Sequence, residues 1–169
     1  MNRIKNKQNG FAMVEMLIAL GVAAIVIVFA YVVFSLAMDK IYESRAITQI
    51  NSIESGIHQL YANSYDYSDI NTQAIIDSGI SEKGNTIDDK IIASPWFGSN
   101  KDSIITVNPS INPGSFVITM AKVPKKSCTK VAAAFIQYGI KIGVEVVLTP
   151  VQIATACAKY HDSDINITF

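Results

Sequence analysis

Charge is scarce in this chain. Only 17% of its 169 residues are charged, and between Glu15 and Asp39 there is no charged side chain at all. Proline is absent before Pro95, so no pyrrolidine ring interrupts a helix in the first half. Histidine occurs twice, as His58 and His161, and cysteine twice, as Cys128 and Cys157. These shortages exclude most site chemistry. The sequence holds no HExxH, no nucleophile elbow and no phosphate-binding glycine loop, and two widely separated cysteines match no zinc pattern. The pair Asp88-Asp89 reads as a solvated loop in preference to an acid–base dyad or a calcium site. Lys125, Lys126 and Lys130 read as a solvated helix face. His58 is expected at the edge of a packed helix face, and His161 in a polar segment beside Asp162. The chain is therefore expected to be no enzyme and to use neither cofactor nor metal. Its formal net charge is zero, which gives no global reason to expect specific nucleic-acid binding.

Apolar residues, by contrast, make up 50% of the chain, and the excess is concentrated near the start. Residues 16–38 form one uncharged apolar run. About 23 helical residues rise roughly 35 Å, enough to cross the hydrocarbon core of a bilayer. Arg3, Lys5 and Lys7 precede the run with no acid among the first ten residues, while Asp39 follows it. That asymmetry places the amino terminus in the cytoplasm and the bulk of the chain on the other side. An ordinary secretory signal has a shorter apolar core closed by a small-residue cleavage site. A plain signal anchor satisfies length and charge equally well. Loss of the first ten residues removes three of the fourteen basic side chains and no acid, leaving a mildly acidic product. In an exported chain, an even cysteine count suggests one disulfide. The bond would close a loop of roughly 30 residues and contribute about 3–4 kcal/mol in the chain-entropy description. Two buried free thiols are the alternative, more natural in a cytosolic protein.

The junction between leader and apolar run discriminates further. Gly10 ends the polar leader, Phe11 opens the run, and Glu15 stands fifth when Phe11 is counted first. A carboxylate deep in a bilayer costs about 2.5–3.5 kcal/mol on insertion scales, so it calls for a partner. Cleavage after Gly10 would create an ammonium at Phe11, one helical turn away. In a polymer, Glu15 could pair with the same group of a neighbouring subunit. Basic leader, glycine, aromatic residue, glutamate at that offset and spanning run together resemble the class III signal of type IV prepilins. The resemblance implies that a prepilin peptidase cuts after Gly10 and that Phe11 becomes an N-methylated terminus. It also implies that Glu15 is the carboxylate required for assembly.

Beyond Asp39, Ala46, Ile50, Ile53, Ile57 and Leu60 recur at spacings of three and four, a stripe on one helix face. A helix over residues 11–61 is expected, with a short helix near Ile75, Ile76 and Ile80 in an otherwise loop-rich stretch to residue 101. Tyr61, Tyr65 and Tyr67 are expected to cover the end of the long helix. Ser94-Pro95-Trp96-Phe97-Gly98 and Asn112-Pro113-Gly114 read as turns. Strands are expected over residues 116–123, over residues 140–148 with their period of two, and over residues 165–169. Two helices lie between them. One spans residues 127–138 and is closed by Gly139. The other starts at Thr149-Pro150-Val151-Gln152, a capping box with proline in the first turn. Each carries one cysteine.

This layout resembles type IV pilins, closest to the type IVb group, although phenylalanine as first mature residue is more typical of the type IVa group. The fold class implied is α+β, a long amino-terminal spine helix on an antiparallel sheet with a disulfide-bonded carboxy-terminal region. Its parts would be a leader at 1–10, a transmembrane and polymerisation half-helix at 11–38, and a head at 39–169. Within the head, 39–61 is the amphipathic half-helix and 128–157 the disulfide-bounded region. The resemblance implies a major pilin that polymerises with itself after processing by a prepilin peptidase. It would be served by inner-membrane assembly machinery, starting as an inner-membrane precursor with a periplasmic head and ending in an extracellular pilus for adhesion, aggregation or mating. The rival readings are a minor pilin or type II secretion pseudopilin, a signal-anchored periplasmic binding module, and an anchored periplasmic enzyme.

Overall fold

Helix α1, Gln8–Leu60, runs 53 residues without a break, as the missing prolines allow. The structure, a computed structural model, describes residues 8–64 and 66–169, with side chains from Met13 onward. Leader residues 1–7, with Arg3, Lys5 and Lys7, and also Tyr65, lie outside the described residues. Two compact units divide the chain between Lys40 and Ile41.

In the first unit the helix exposes large apolar side chains all round, among them Leu17, Ile25, Phe29 and Phe34. Such a surface suits hydrocarbon or a large core, not water. The helix is long and apolar enough to cross a membrane. Ser35 Oγ donates to the Val32 carbonyl at 2.9 Å, so its hydroxyl is satisfied inside the run.

In the second unit α1 is one-sided. Ala46, Ile50, Ile53 and Ile57 are buried, whereas Leu60 is exposed. Four residues bring the helix nearer to the stripe than three do, so Tyr61 takes the last covering place and packs partly buried on the core. Tyr67 lies beside it at a ring separation of 5.1 Å and against Phe116 at 5.0 Å, which closes the end of the helix.

The stripe covers a seven-stranded sheet in which every pairing is antiparallel, ordered β1-β2-β3-β4-β7-β5-β6. The strands are β1 Thr86–Ile87, β2 Ile91–Ala93, β3 Ile104–Pro109, β4 Phe116–Pro124, β5 Gly139–Ile142, β6 Glu145–Val147 and β7 Asp162–Thr168. Phe116, Ile118 and Met120 of β4 alternate inward, as do Ser163, Ile165 and Ile167 of β7. With the α1 stripe they form one buried core.

Three short helices complete the unit. Helix α2, Thr72–Asp77, is capped by the Asn71 side chain, which accepts from the Ala74 N–H at 2.9 Å. Ile75 and Ile76 fall inside it, but Ile80 lies beyond Gly79, whose φ of +73° ends the turn. Helix α3, Lys125–Ala134, begins and ends earlier than its sequence pattern suggests. Phe135 is drawn into the core, and residues 135–138 form a turn in which the Tyr138 N–H donates to the Phe135 carbonyl. Gly139 then opens β5 and does not cap a helix. Helix α4, Pro150–Lys159, has both arms of the capping box, with Gln152 N–H on Thr149 Oγ1 at 3.3 Å and Thr149 N–H on Gln152 Oε1 at 3.1 Å.

A larger difference concerns residues 140–148, which alternate like one strand. They are a hairpin, folded back at Gly143 with φ of +57°. Ile140 pairs with Val147 and Lys141 with Val146. Even-numbered residues therefore point inward on β5 and outward on β6. Ile140 and Ile142 are buried, while Val144, Val146 and Leu148 are exposed.

Candidate functional site

Gly10 and Phe11 are the third and fourth residues of α1. Glu15 follows Phe11 by four residues and is exposed among exposed apolar neighbours. One turn of helix separates Phe11 from Glu15, roughly 6 Å of rise. In a packed bundle of such helices Glu15 would be desolvated, and its charge would be left uncompensated unless a cation met it.

In the second unit, Cys128 of α3 and Cys157 of α4 are joined, with Cα atoms 5.8 Å apart and no free cysteine. Both are buried. The bond ties two helices across the β5–β6 hairpin. Lys159 of α4 bonds Glu145 of β6, which raises the ammonium's pKa above its usual value.

Helix α1 is fastened to the rest of its unit by two carboxylates. Glu43 is only 7% exposed, and its Oε2 accepts from Lys130 Nζ at 2.9 Å. One lysine of the supposed solvated face thus reaches from α3 to the spine helix. Glu43 lies one turn before Ala46 on the apolar stripe, so a helical wheel carries the signal. Glu54 accepts from Tyr138 Oη at 3.0 Å, and this bond raises the phenol's pKa. His58 Nδ1 lies 3.2 Å from Tyr67 Oη, and its ring meets Phe116 edge-on at 5.7 Å. The Tyr61 hydroxyl donates to Asp69 Oδ1 at 2.9 Å; partial burial and then Asp69 raise its pKa.

Several other polar groups shape turns and bulges. Asp88 and Asp89 have φ of +50° and +52° in the β1–β2 turn, a conformation their short polar side chains tolerate. Lys122, φ +53°, marks a bulge in β4 where its N–H donates to Asp164 Oδ1 at 3.0 Å. His161 Nδ1 lies 3.3 Å from Asp162 at the surface. Among the described residues no group of three or more His, Cys, Asp or Glu is placed to hold a metal ion.

One cleft of about 400 Å³ opens along α1, lined by Arg45, Thr48, Gln49, Ser52, Glu82 and Pro95 among others. Gly56 makes the close approach beneath it possible, since a Cβ there would stand 2.5 Å from Ile80 Cγ2. The lining offers hydroxyls and amides together with the charged side chains of Arg45 and Glu82.

Comparison with known proteins adds the following. Residues 5–31 match the family described as prokaryotic N-terminal methylation motif, and residues 41–169 match the family described as PilS N terminal. The major structural subunit of bundle-forming pilus of Escherichia coli O111:H- is 25% identical over 194 residues, covering 99% of this chain and 97% of that one. Its counterpart in Escherichia coli O127:H6 (strain E2348/69 / EPEC) matches with the same identity and coverage. Among solved structures, TcpA, a type IV pilin from Vibrio cholerae El Tor biotype, superposes with a TM-score of 0.54 at 14% identity. That match covers 76% of this chain and 98% of TcpA.

Proposed function

Since the chain belongs to the PilS N-terminal family and has the type IV pilin fold, we propose that it is the major structural subunit of a type IV pilus of the b group. The observation that carries this reading is the continuous helix α1, apolar all round in its first half, where the methylation motif falls, and one-sided in its second. Likeness along nearly its whole length to major subunits of bundle-forming pili supports the same reading. The chain is thus a building block, and its chemistry is assembly.

The precursor inserts with residues 1–10 in the cytoplasm, residues 11–38 across the inner membrane and residues 39–169 in the periplasm. Prepilin peptidase cuts after Gly10 and methylates Phe11. Subunits then move laterally from the bilayer into a fibre whose core is the apolar helices, with the aid of inner-membrane assembly machinery. Identical contacts repeated by rotation and rise give an open helical polymer. Glu15 sets the register, because only one placement gives its desolvated carboxylate the Phe11 ammonium of a neighbour. Small residues such as Gly21, Ala23 and Ala24 let the helices approach closely.

Two measurements test this. Mass analysis of sheared fibres should find a mature chain that begins at N-methylated Phe11. Glu15→Ala should leave insertion and cleavage intact and stop fibre growth; normal pili on cells making only that variant would refute the assignment.

A further inference from the structure

From Ser103 to Ile140 the chain carries four lysines and no acid, whereas residues 61–102 carry seven acids against three lysines. Positive charge is thus gathered away from the acids. Lys122 faces Asp164 at 3.7 Å; the other three, Lys125, Lys126 and Lys130, belong to α3. All three are exposed, while Ser127, Cys128, Val131 and Ala132 turn the other face of α3 into the core. Lys126 and Lys130 are four residues apart and so share one face, where like charges oppose each other unless an anion lies near. The first turn of the helix, where acids are ordinarily favoured, contains none.

Glu43 fixes the level at which this face stands. Lys130 Nζ lies 2.9 Å from Glu43 Oε2. Glu43 follows Met38, the last residue of the apolar run, by five places in one unbroken helix. Five helical residues rise about 8 Å, and the headgroup layer on each side of a bilayer is roughly 5–8 Å deep. Tilting the helix only lowers that rise. When residues 11–38 span the bilayer, an ammonium held at Glu43 therefore lies level with the lipid headgroups or just above them. Glu43 brings one negative charge to a face that carries three positive ones.

We propose that α3 docks on the membrane surface while the subunit resides in the bilayer, with Lys125, Lys126 and Lys130 set among the phosphates of anionic phospholipids. The proposal rests on the pilin reading, which puts residues 11–38 in the membrane, and adds to it a second membrane contact made by the head. The occupant is a lipid surface for two reasons. The helix that carries Glu43 emerges from that surface, so the distance is already short, and anionic headgroups complement three clustered lysines. Long lysine stems lie along the helix and let the ammonium groups reach outward. A subunit that enters the fibre leaves the bilayer and gives this contact up, so the docked state belongs to the membrane-resident pool.

The test uses the full-length chain in lipid nanodiscs and reads the broadening of backbone amide signals by lipids that carry a nitroxide at the headgroup. In discs of equal parts phosphatidylglycerol and phosphatidylcholine, the amides of residues 125–130 should broaden strongly, and those of Asp88 and Asp89 in the β1–β2 turn should not. Discs of phosphatidylcholine alone should lower the broadening at residues 125–130 at least about fivefold, the share of roughly one lysine at an anionic surface. Lys125→Gln combined with Lys126→Gln should do the same in the mixed discs, and Lys125→Arg with Lys126→Arg should keep the broadening. Unchanged signals from Ile165 and Ile167 verify the fold of each variant; should the double glutamine variant fail that check, Lys125→Gln alone decides, with a loss of at least about twofold expected. Equal broadening at residues 125–130 and 88–89, equal broadening in the two lipids, or full broadening in the glutamine variant overturns the proposal. The amide of Ile41 separates the two readings. If it broadens and α3 does not, the docking fails and the membrane-spanning helix stands; if Ile41 also stays sharp, the pilin reading fails with it.

Discussion

A carboxylate held at 7% exposure needs a cation, and Glu43 has Lys130. The ammonium side is 60% exposed, so water tempers both the attraction and the cost of losing it. Removal of the cation leaves the buried charge uncompensated, which is worse than removing the pair. Lys130→Ala should therefore destabilise the head by about 1–3 kcal/mol, and Glu43→Gln by less. Urea denaturation of the two single variants and the double variant would show the coupling. At this scale the sequence was only partly legible. The cysteine pair follows from compartment and count, and the structure bonds Cys128 to Cys157. The Glu43–Lys130 pair spans 87 positions, and nothing local to Lys130 separates it from Lys125 and Lys126. Only the tertiary approach of α3 to α1 selects it.

Elements were legible where one physical signal dominates over many residues. Helix α1 has fifty-three residues without proline, and the cap of α4 is a four-residue code satisfied atom for atom. Strands β1 and β2 have two and three residues, too few for a period to register, and they fall in a stretch whose composition is that of a loop. The β5–β6 hairpin misleads for a different reason. Its alternation continues through the turn, while the fold-back exchanges the faces, so periodicity alone assigns Val144 and Val146 to the wrong side. The one local sign of the turn is Gly143. Its φ is +57°, and a Cβ there would meet the Tyr160 ring at 3.2 Å. Gly143→Ala should accordingly lower stability by more than about 1 kcal/mol, because strain and crowding both oppose it. Thermal unfolding of the exported head would measure this, and an unchanged melting temperature would contradict the hairpin.

For the whole molecule, stability should depend on redox state and on pH. Cys157→Ser should cost about 2–4 kcal/mol and lower steady-state abundance, since the unfolded chain is then unconstrained over the loop. Two free thiols in a non-reducing mass analysis of the exported wild-type head would argue against the bond. Tyr138, Tyr61 and Lys159 all hold their protons more tightly in the fold than in the open chain, through Glu54, partial burial with Asp69, and Glu145 respectively. As pH rises past about 10, the unfolded chain releases these protons first. The stability they contribute is complete below that pH and is lost as pH climbs through the raised folded values. Asp66 works in the opposite direction. Hydrogen bonds from Ser68 lower its pKa, so its contribution is present above about pH 4 and lost on further acidification. Urea midpoints measured across the alkaline range should therefore fall; a flat profile would contradict these bonds.

Strand β7 lies between β4 and β5 in the middle of the sheet, although residues 162–168 follow both in the chain. Until that segment arrives, β4 and the β5–β6 hairpin are two half-built sheets, each with a bare margin and half a core. A chain synthesised from its amino terminus must therefore wait, exposed and unjoined, for its central piece. The arrival of residues 162–168 then times the closing of this unit, and a chain that stalls before Asp162 presents a sticky, unfinished surface that proteases can recognise.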